Sequence, residues 1–328
     1  MADHTSTGIV LSATDHRLPD PMPVGLAKYT NFKDMAEGGS GKLRSCWDTV
    51  VNRLVVMKTL QSKFIHDPKE NRRFLREARI TAMLQHPNTV PVYEIGHDPE
   101  IGIYFTMKRI SGENFFQALK RIAMGDEATA EAYSLQRRLE IAISAAQALA
   151  YAHVRGVIHR DVKPENIWIG NFGEVILLDW GVAKVWGHSD ESESFVFRRE
   201  DAEDEEMQLR TLTGGGQRPG TPLYMSPEQV RGYKYLDERS DIFSMGIVLY
   251  EMLAIREPFR GRNINETFDN IQNVDPPPPS ERSPDREIPA AADAIVMRAI
   301  QKKPKDRYQS MRAMIADLHE LLENRKIE

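Results

Sequence analysis

The chain of 328 residues carries a single cysteine, Cys46, so no disulfide forms within it. Folding must rest on a buried core, and a chain of this length has room for one. A lone thiol suits a reducing compartment, and the expected location is cytoplasmic. Long apolar runs are missing as well. No stretch approaches the roughly 18 consecutive apolar residues that a membrane helix needs. The opening residues, MADHTSTGIVLSATDHRLPDPMP, lack the positive start and apolar run of a secretory signal. Basic residues are sparse for a nucleic-acid binder: 43 Lys and Arg stand against 48 Asp and Glu, a net charge of −5, and no dense basic face is expected. The acids are unevenly placed. Nine fall between Asp190 and Glu206 against two Arg, so this run contributes −7 and the remainder is close to neutral. Such a segment is expected to be disordered.

What is present, 41% hydrophobic and 28% charged residues, fits a soluble globular protein. Residues 1–27, with Pro19, Pro21 and Pro23 and no sustained periodicity, read as a flexible leader. Residues 28–107 are strand-like with one helix. Val50, Val51, Leu54, Val55 and Val56 suit strands separated by a turn at Asn52-Arg53. Lys69 to Gln85 reads as a helix with Phe74, Ala78, Thr81 and Leu84 on one face, ended by His86-Pro87-Asn88. After a connector at 108–112, residues 113–328 turn mostly helical. Leu139, Ile143, Ala146, Leu149 and Ala150 recur at helical spacing between Leu135 and His153, and Asp241 to Ala254 looks like a second buried helix. Short strands are expected around Ile167–Ile169 and Val175–Leu178. Residues 275–289 hold six prolines and read as a loop, followed by amphipathic helices over Pro289–Ile300 and Ser310–Glu323. A strand-rich part followed by a helix-rich part predicts two lobes.

The residues with chemistry to offer concentrate in His159-Arg160-Asp161-Val162-Lys163-Pro164-Glu165-Asn166, followed by Asp179-Trp180-Gly181. In the same order stand Val55-Val56-Met57-Lys58, Ser226-Pro227-Glu228 and Asp241-Ile242-Phe243-Ser244-Met245-Gly246. Taken singly, Val-Val-Met-Lys is a strand ending in a solvated lysine, Asp-Trp-Gly a turn, and Glu77 an exposed helix charge. Asp161, Lys163 and Asn166 at fixed offsets behind His159-Arg160 are far harder to obtain by chance. The ordered set resembles the eukaryotic-like (Hanks-type) protein kinases, in their bacterial serine/threonine branch, over about residues 29 to 323.

That resemblance implies an α+β, two-lobed protein kinase fold: a small antiparallel β-sheet lobe with one main helix, and a larger, mostly α-helical lobe. It implies transfer of the ATP γ-phosphoryl group to protein Ser or Thr hydroxyls, with Mg²⁺, or Mn²⁺ in its place. Asp161 would accept the hydroxyl proton, Lys163 would neutralise the transferred group, and Thr221 would hydrogen-bond both. Asn166 and Asp179 would hold the metal. Lys58, fixed by Glu77, would grip the α- and β-phosphates. Ala36, Glu37, Gly38, Gly39, Gly41 and Leu43 would cover the nucleotide, with Val56 on the strand that carries Lys58. Met107, Lys108 and Ile110 would form the connector side of the nucleotide site, the last two through backbone groups. Glu228 would pair with Arg307. The activation segment would span about 183–228, with an acidic insertion near 188–206. Arg160 before Asp161 implies control by phosphorylation there, at Thr211 or Thr213 through self-association.

Three departures from the family pattern stand out. Ala36 and Leu43 occupy positions of a glycine and a valine in the glycine-rich loop. Trp180 stands where phenylalanine is usual, which needs an acceptor for its indole N–H, and Ser226 in place of alanine reads as a minor change. The loop also fails the Gly-x-x-x-x-Gly-Lys-Ser/Thr pattern of P-loop NTPases at both Ala36 and Leu43. Three alternatives stay open beside an active protein kinase: a pseudokinase scaffold, a small-molecule phosphotransferase of related fold, and a module that binds partners through its acidic run.

Overall fold

The computed structural model describes residues 20–38, 41–185 and 222–325. They divide into two compact units, one from the chain up to Ala78 together with Val92–Arg109, the other from Arg79–Pro91 and from Ile110 onward.

In the first unit, β1 (Tyr29–Glu37), β2 (Gly41–Asp48), β3 (Arg53–Leu60), β4 (Val92–Asp98) and β5 (Gly102–Lys108) form an antiparallel sheet in the order β1-β2-β3-β5-β4. Val50 and Val51, expected in strands, lie instead in the β2–β3 turn. The Asp48 carboxylate accepts the N–H groups of Val50 and Val51 at 3.1 and 3.2 Å, and Asn52 takes a left-handed φ of 57°. Aspartate and asparagine turn chemistry outweighs the β-branched preference of the valines. One face of the sheet buries Tyr29, Cys46, Val55, Met57 and Tyr104. Burial pushes the Cys46 thiol up to about 11, which leaves it inert. Leu26, in a 3-10 turn over Gly25–Lys28, packs against this cluster. The end of the expected leader is therefore ordered on the sheet; residues 1–19 lie outside the described residues.

Helix α1 (Pro68–Met83) starts behind Asp67, whose carboxylate accepts the Lys69 N–H at 2.8 Å. Phe74 and Ala78 pack with Leu60 and Phe105 on the second face of the sheet. The helix stops at Met83, ahead of His86-Pro87-Asn88. Ile80 and Leu84 join the core of the second unit. Asn88 fastens this stretch there, donating to Val175 O at 2.7 Å and accepting the Leu177 N–H at 2.8 Å.

The second unit contains α2 (Phe115–Ala123), α3 (Glu127–Ala132), α4 (Leu135–Val154), α5 (Pro227–Val230), α6 (Glu238–Ala254), α7 (Ile264–Asn273), α8 (Pro279–Arg282), α9 (Ala290–Ala299) and α10 (Met311–Arg325). A small sheet of β6 (Gly112–Asn114), β8 (Ile167–Gly170) and β9 (Val175–Leu177), and a short ladder of β7 (Val157–Ile158) with β10 (Lys184–Val185), complete it. Leu139, Ile143, Ala146, Leu149 and Ala150 of α4 are buried as their spacing predicts. Every residue of α6 from Ser240 to Ala254 is buried, and its polar members Ser240, Asp241 and Ser244 are hydrogen-bonded within the fold. Its Gly246 permits close packing on α9, because a Cβ there would stand 2.7 Å from that of Ala299. The proline-rich 275–289 segment is not a plain loop. Pro279 and Pro284 each open a short helical turn, α8 and a 3-10 turn over Pro284–Arg286, proline being preorganised for a first helical position.

Candidate active site

Two groups of chemistry-bearing side chains stand out, one in each unit. In the first, the cross-strand register pairs Ala36 with Leu43, Leu43 with Lys58, and Val56 with Met107. With side chains alternating along each strand, Ala36, Gly41, Leu43, Val56, Lys58 and Met107 share one face of the sheet. Lys108 pairs with Val55 and Glu37 with Lys42, so both belong to the opposite face. Only their backbones are available to a ligand on the Lys58 side. Lys58 is ion-paired with Glu77 of α1, which is buried at 8% exposure. Gly41 makes room for the lysine stem: a Cβ there would lie 3.1 Å from Lys58 Cε and 3.1 Å from Thr59 O. The β1–β2 connection is drawn closed by Gly38 N–H on Gly41 O at 2.9 Å and by Gln61 Nε2 on Gly38 O at 2.7 Å. Gly39 lies outside the described residues. β1 continues through Ala36 to Glu37 without a glycine at that position.

The second group gathers around Asp161. Lys163 Nζ donates to Asp161 Oδ2 at 2.6 Å, and Asn166 Nδ2 donates to Asp161 O at 2.8 Å and to Oδ2 at 3.1 Å. Burial pulls the Lys163 ammonium down, but the carboxylates of Asp161, Asp179 and Glu165 outweigh it and leave its pKa raised. It stays a fixed cation. The Asn166 backbone carbonyl accepts the Leu178 N–H at 2.8 Å, tying the loop to the residue before Asp179. Asp179 adopts a left-handed φ of 64°, a conformation that aspartate tolerates better than most residues. Both Asn166 amide hydrogens being directed at Asp161, the amide oxygen is turned away from that carboxylate. An amide oxygen and the Asp179 carboxylate are the hard oxygen donors that Mg²⁺ prefers. The residues fit a metal held jointly with phosphate.

The backbone under Asp161 is held from several sides. The Asp161 N–H donates to His159 Nδ1 at 3.2 Å, so the ring hydrogen sits on Nε2 and points to Leu178 O at 3.0 Å. Arg160 has φ 69°, a strained geometry for this residue type. Three hydrogen bonds from two partners secure it and its neighbour. Asp241 Oδ1 accepts the Arg160 N–H at 2.8 Å, Asp241 Oδ2 accepts the His159 N–H at 2.8 Å, and Gln229 Nε2 donates to Arg160 O at 2.9 Å. Full burial would raise the Asp241 pKa, but His153, His159 and the Arg160 N–H prevail and hold its carboxyl below the usual range. Sequence reading took Asp241 only as the start of a buried helix and assigned Gln229 nothing. Both contacts join residues more than 60 positions apart and leave no local pattern.

Ser226 is more than a minor replacement. It is buried and caps α5, accepting the Gln229 N–H at 3.4 Å while the Gln229 side chain accepts the Ser226 N–H at 3.0 Å. The reciprocal cap orients the same glutamine that grips Arg160 O. Glu228 and Arg307 form a buried bidentate pair at 2.7 and 2.8 Å. Arg307 also donates to the carbonyls of Gln301, Arg239 and Lys302 at 2.7, 2.7 and 3.0 Å, so all five of its N–H groups are used. Trp180 departs from expectation. It is 1% exposed and lies over the His159 ring at 4.5 Å between centroids, but its indole N–H has no acceptor among the described residues. The pocket accepts its size and not its polarity. Ile110 is half-buried at the start of the second unit's main stretch, and Arg109 before it is exposed. Thr211, Thr213 and Thr221, with the acidic run of 190–206, lie outside the described residues.

An ion-paired strand lysine, a caged aspartate–lysine–asparagine cluster and a neighbouring aspartate define the protein kinase class. The protein kinase domain family profile matches residues 29–318, and the chain belongs to this family. Among curated relatives, the serine/threonine-protein kinase PknD of Protochlamydia amoebophila (strain UWE25) is 32% identical over 308 residues, covering 93% of this chain and 31% of that protein. PknD of Chlamydia pneumoniae is 34% identical over 296 residues, covering 89% and 31%. PknD of Chlamydia abortus (strain DSM 27085 / S26/3) is 35% identical over 301 residues, covering 90% and 31%. The chain spans 31% of the length of these relatives. ATP and a divalent metal are typical of this family. No helix among the described residues is long and apolar enough to cross a membrane.

Proposed function

We propose that this chain is a serine/threonine protein kinase that moves the ATP γ-phosphoryl group to Ser or Thr hydroxyls of proteins. The observation that carries the reading is the Asp161 carboxylate, held by Lys163 at 2.6 Å and Asn166 at 3.1 Å. Asp161 orients the acceptor hydroxyl and takes its proton as the new oxygen–phosphorus bond forms and the bond to the β-phosphate oxygen breaks, releasing ADP. Lys163, kept cationic by three carboxylates, balances charge on the transferred group. Lys58, oriented by Glu77, grips the non-transferred phosphates. Asp179 and Asn166 would hold the metal, Mg²⁺ or Mn²⁺ in its place, which would screen phosphate charge when bound. Ala36, Gly38, Gly39, Gly41, Leu43, Val56 and Met107 line the nucleotide side, with backbone groups of Glu37, Lys108 and Ile110. Thr221 completes the catalytic group, and Thr211 or Thr213 is the control site, phosphorylated between two copies of the chain. The buried Glu228–Arg307 pair anchors the end of that segment. A single buried thiol fits a cytoplasmic setting.

Ala36 at the first glycine position of the nucleotide loop favours one second reading, a pseudokinase with little transfer. Incubation with γ-labelled Mg·ATP and a generic protein decides between them. The kinase reading expects label in the protein, abolished by chelating the metal; an unlabelled protein at full nucleotide occupancy would favour the scaffold.

A further inference from the structure

Gln229 has no part in the phosphoryl transfer set out above, yet both ends of its side-chain amide are spent beside the residue that takes the proton. Its Nε2 donates to Arg160 O at 2.9 Å, and its Oε1 accepts the Ser226 N–H at 3.0 Å. Arg160 O and the Asp161 N–H belong to one peptide group, which is planar and trans, so they point to opposite sides. His159 Nδ1 accepts the N–H at 3.2 Å, and Gln229 takes the carbonyl. Asp241 reaches only the two peptides before this one, through the N–H groups of His159 and Arg160. Asn166 reaches the peptide after it, at Asp161 O, 2.8 Å away. Among these contacts, the orientation of the peptide that leads into Asp161 is left to His159 and Gln229.

His159 stands on the same loop, two residues from Asp161. Gln229 comes from α5, which is fixed separately. Ser226 is fully buried at the start of that helix, and Glu228 in its first turn is held by Arg307 and by Ser240 Oγ, which donates to Glu228 Oε1 at 2.8 Å. The reciprocal cap with Ser226 holds the glutamine amide in one orientation, with its N–H side toward Arg160 O. We propose that Gln229, set by this cap, is a positioning residue that orients the Arg160–Asp161 peptide and with it the Asp161 carboxylate. Placement of α5 thereby becomes a condition for the aim of Asp161. The inference rests on the kinase reading for its effect on rate, and on geometry alone for its effect on the peptide.

The test compares Gln229→Glu and Gln229→Met with wild type in the full chain. Glutamate still accepts the Ser226 N–H, and it serves in a reciprocal cap as glutamine does, but it has no N–H for Arg160 O. Methionine gives up both bonds at similar length. The readouts are melting temperature, hydrogen exchange at the Asp161 amide, and kcat with the KM for ATP. Gln229→Glu is expected to melt like wild type and to exchange the Asp161 amide ~10-fold faster or more. Its kcat should fall by about 10- to 100-fold through misplacement of Asp161. KM for ATP should stay within about twofold, because a positioning loss acts on the transferring step. Gln229→Met should show the same two losses together with a lower melting temperature. Wild-type kcat in a folded Gln229→Glu, with or without a rise in KM, would overturn the proposal, and so would a lowered kcat with wild-type exchange at Asp161. Should Gln229→Glu not fold, Gln229→Met decides by the same two readings; if neither folds, Gln229 serves folding alone and the proposal fails. Exchange needs no turnover, so an inactive wild-type chain would count against the kinase reading while the Asp161 amide still decides the role of Gln229.

Discussion

Replacing Asp161 with Asn should lower the rate of protein phosphorylation by about 10²–10⁴-fold, the range that a positioned general base contributes. The substitution keeps the shape of the side chain and can still accept from Lys163, which donates to Oδ2 at 2.6 Å. It removes the basicity that draws the proton from the acceptor. Because the cluster around Asp161 is held by backbone contacts at His159, Arg160 and Leu178, the variant should melt like wild type and bind nucleotide with similar affinity. The loss should appear in kcat. A matched pair of rate and melting measurements checks this, and a fall in melting temperature accompanying the lost rate would mean that Asp161 acts in folding instead.

Breaking the Glu228–Arg307 pair should have the largest effect on stability. Both side chains are buried, at 8% and 0% exposure, and the guanidinium spends all five donors within the fold. Glu228→Ala leaves a buried cation with its carboxylate partner gone, a change that costs about 3–5 kcal/mol, readable from urea unfolding. The pair also gives stability a pH dependence. Burial tends to raise the Glu228 pKa, but Arg307 and Ser240 outweigh it and leave the folded value lowered. A carboxyl whose folded pKa lies below its unfolded value, about 4.3, stabilises the fold fully above that unfolded value. The contribution disappears as pH falls through the lower folded value. Wild type should therefore lose stability in acid more steeply than Glu228→Gln.

Residues whose role depends on sequence spacing were legible in advance. His159, Asp161, Lys163 and Asn166 sit on one short loop, so fixed offsets reveal them. Lys58 and Glu77 read singly as a solvated lysine and an exposed helix charge; only the family resemblance pairs them in the sequence, and the structure bears the pairing out. The turn at 49–52 misled because Asp48 and Asn52 act through side-chain and backbone geometry, while propensity counts only the valines between them. Support for the loop was hidden for a different reason. Asp241 and Gln229 reach it from positions 82 and 69 residues away in their pairings, and no periodicity records such contacts. Trp180 illustrates the converse. Its place in the pattern was plain, but whether its indole N–H found an acceptor depended on the surrounding pocket, which offers none among the described residues.

The most direct measurement is phosphopeptide mapping of the chain and of a generic protein after incubation with Mg·ATP, for wild type beside Asp161→Asn. Phosphoserine or phosphothreonine in the wild-type reaction, and its near absence with Asn at position 161, is the predicted result. Equal phosphate in both reactions, or none in either, would contradict a carboxylate at Asp161 that receives the acceptor's proton.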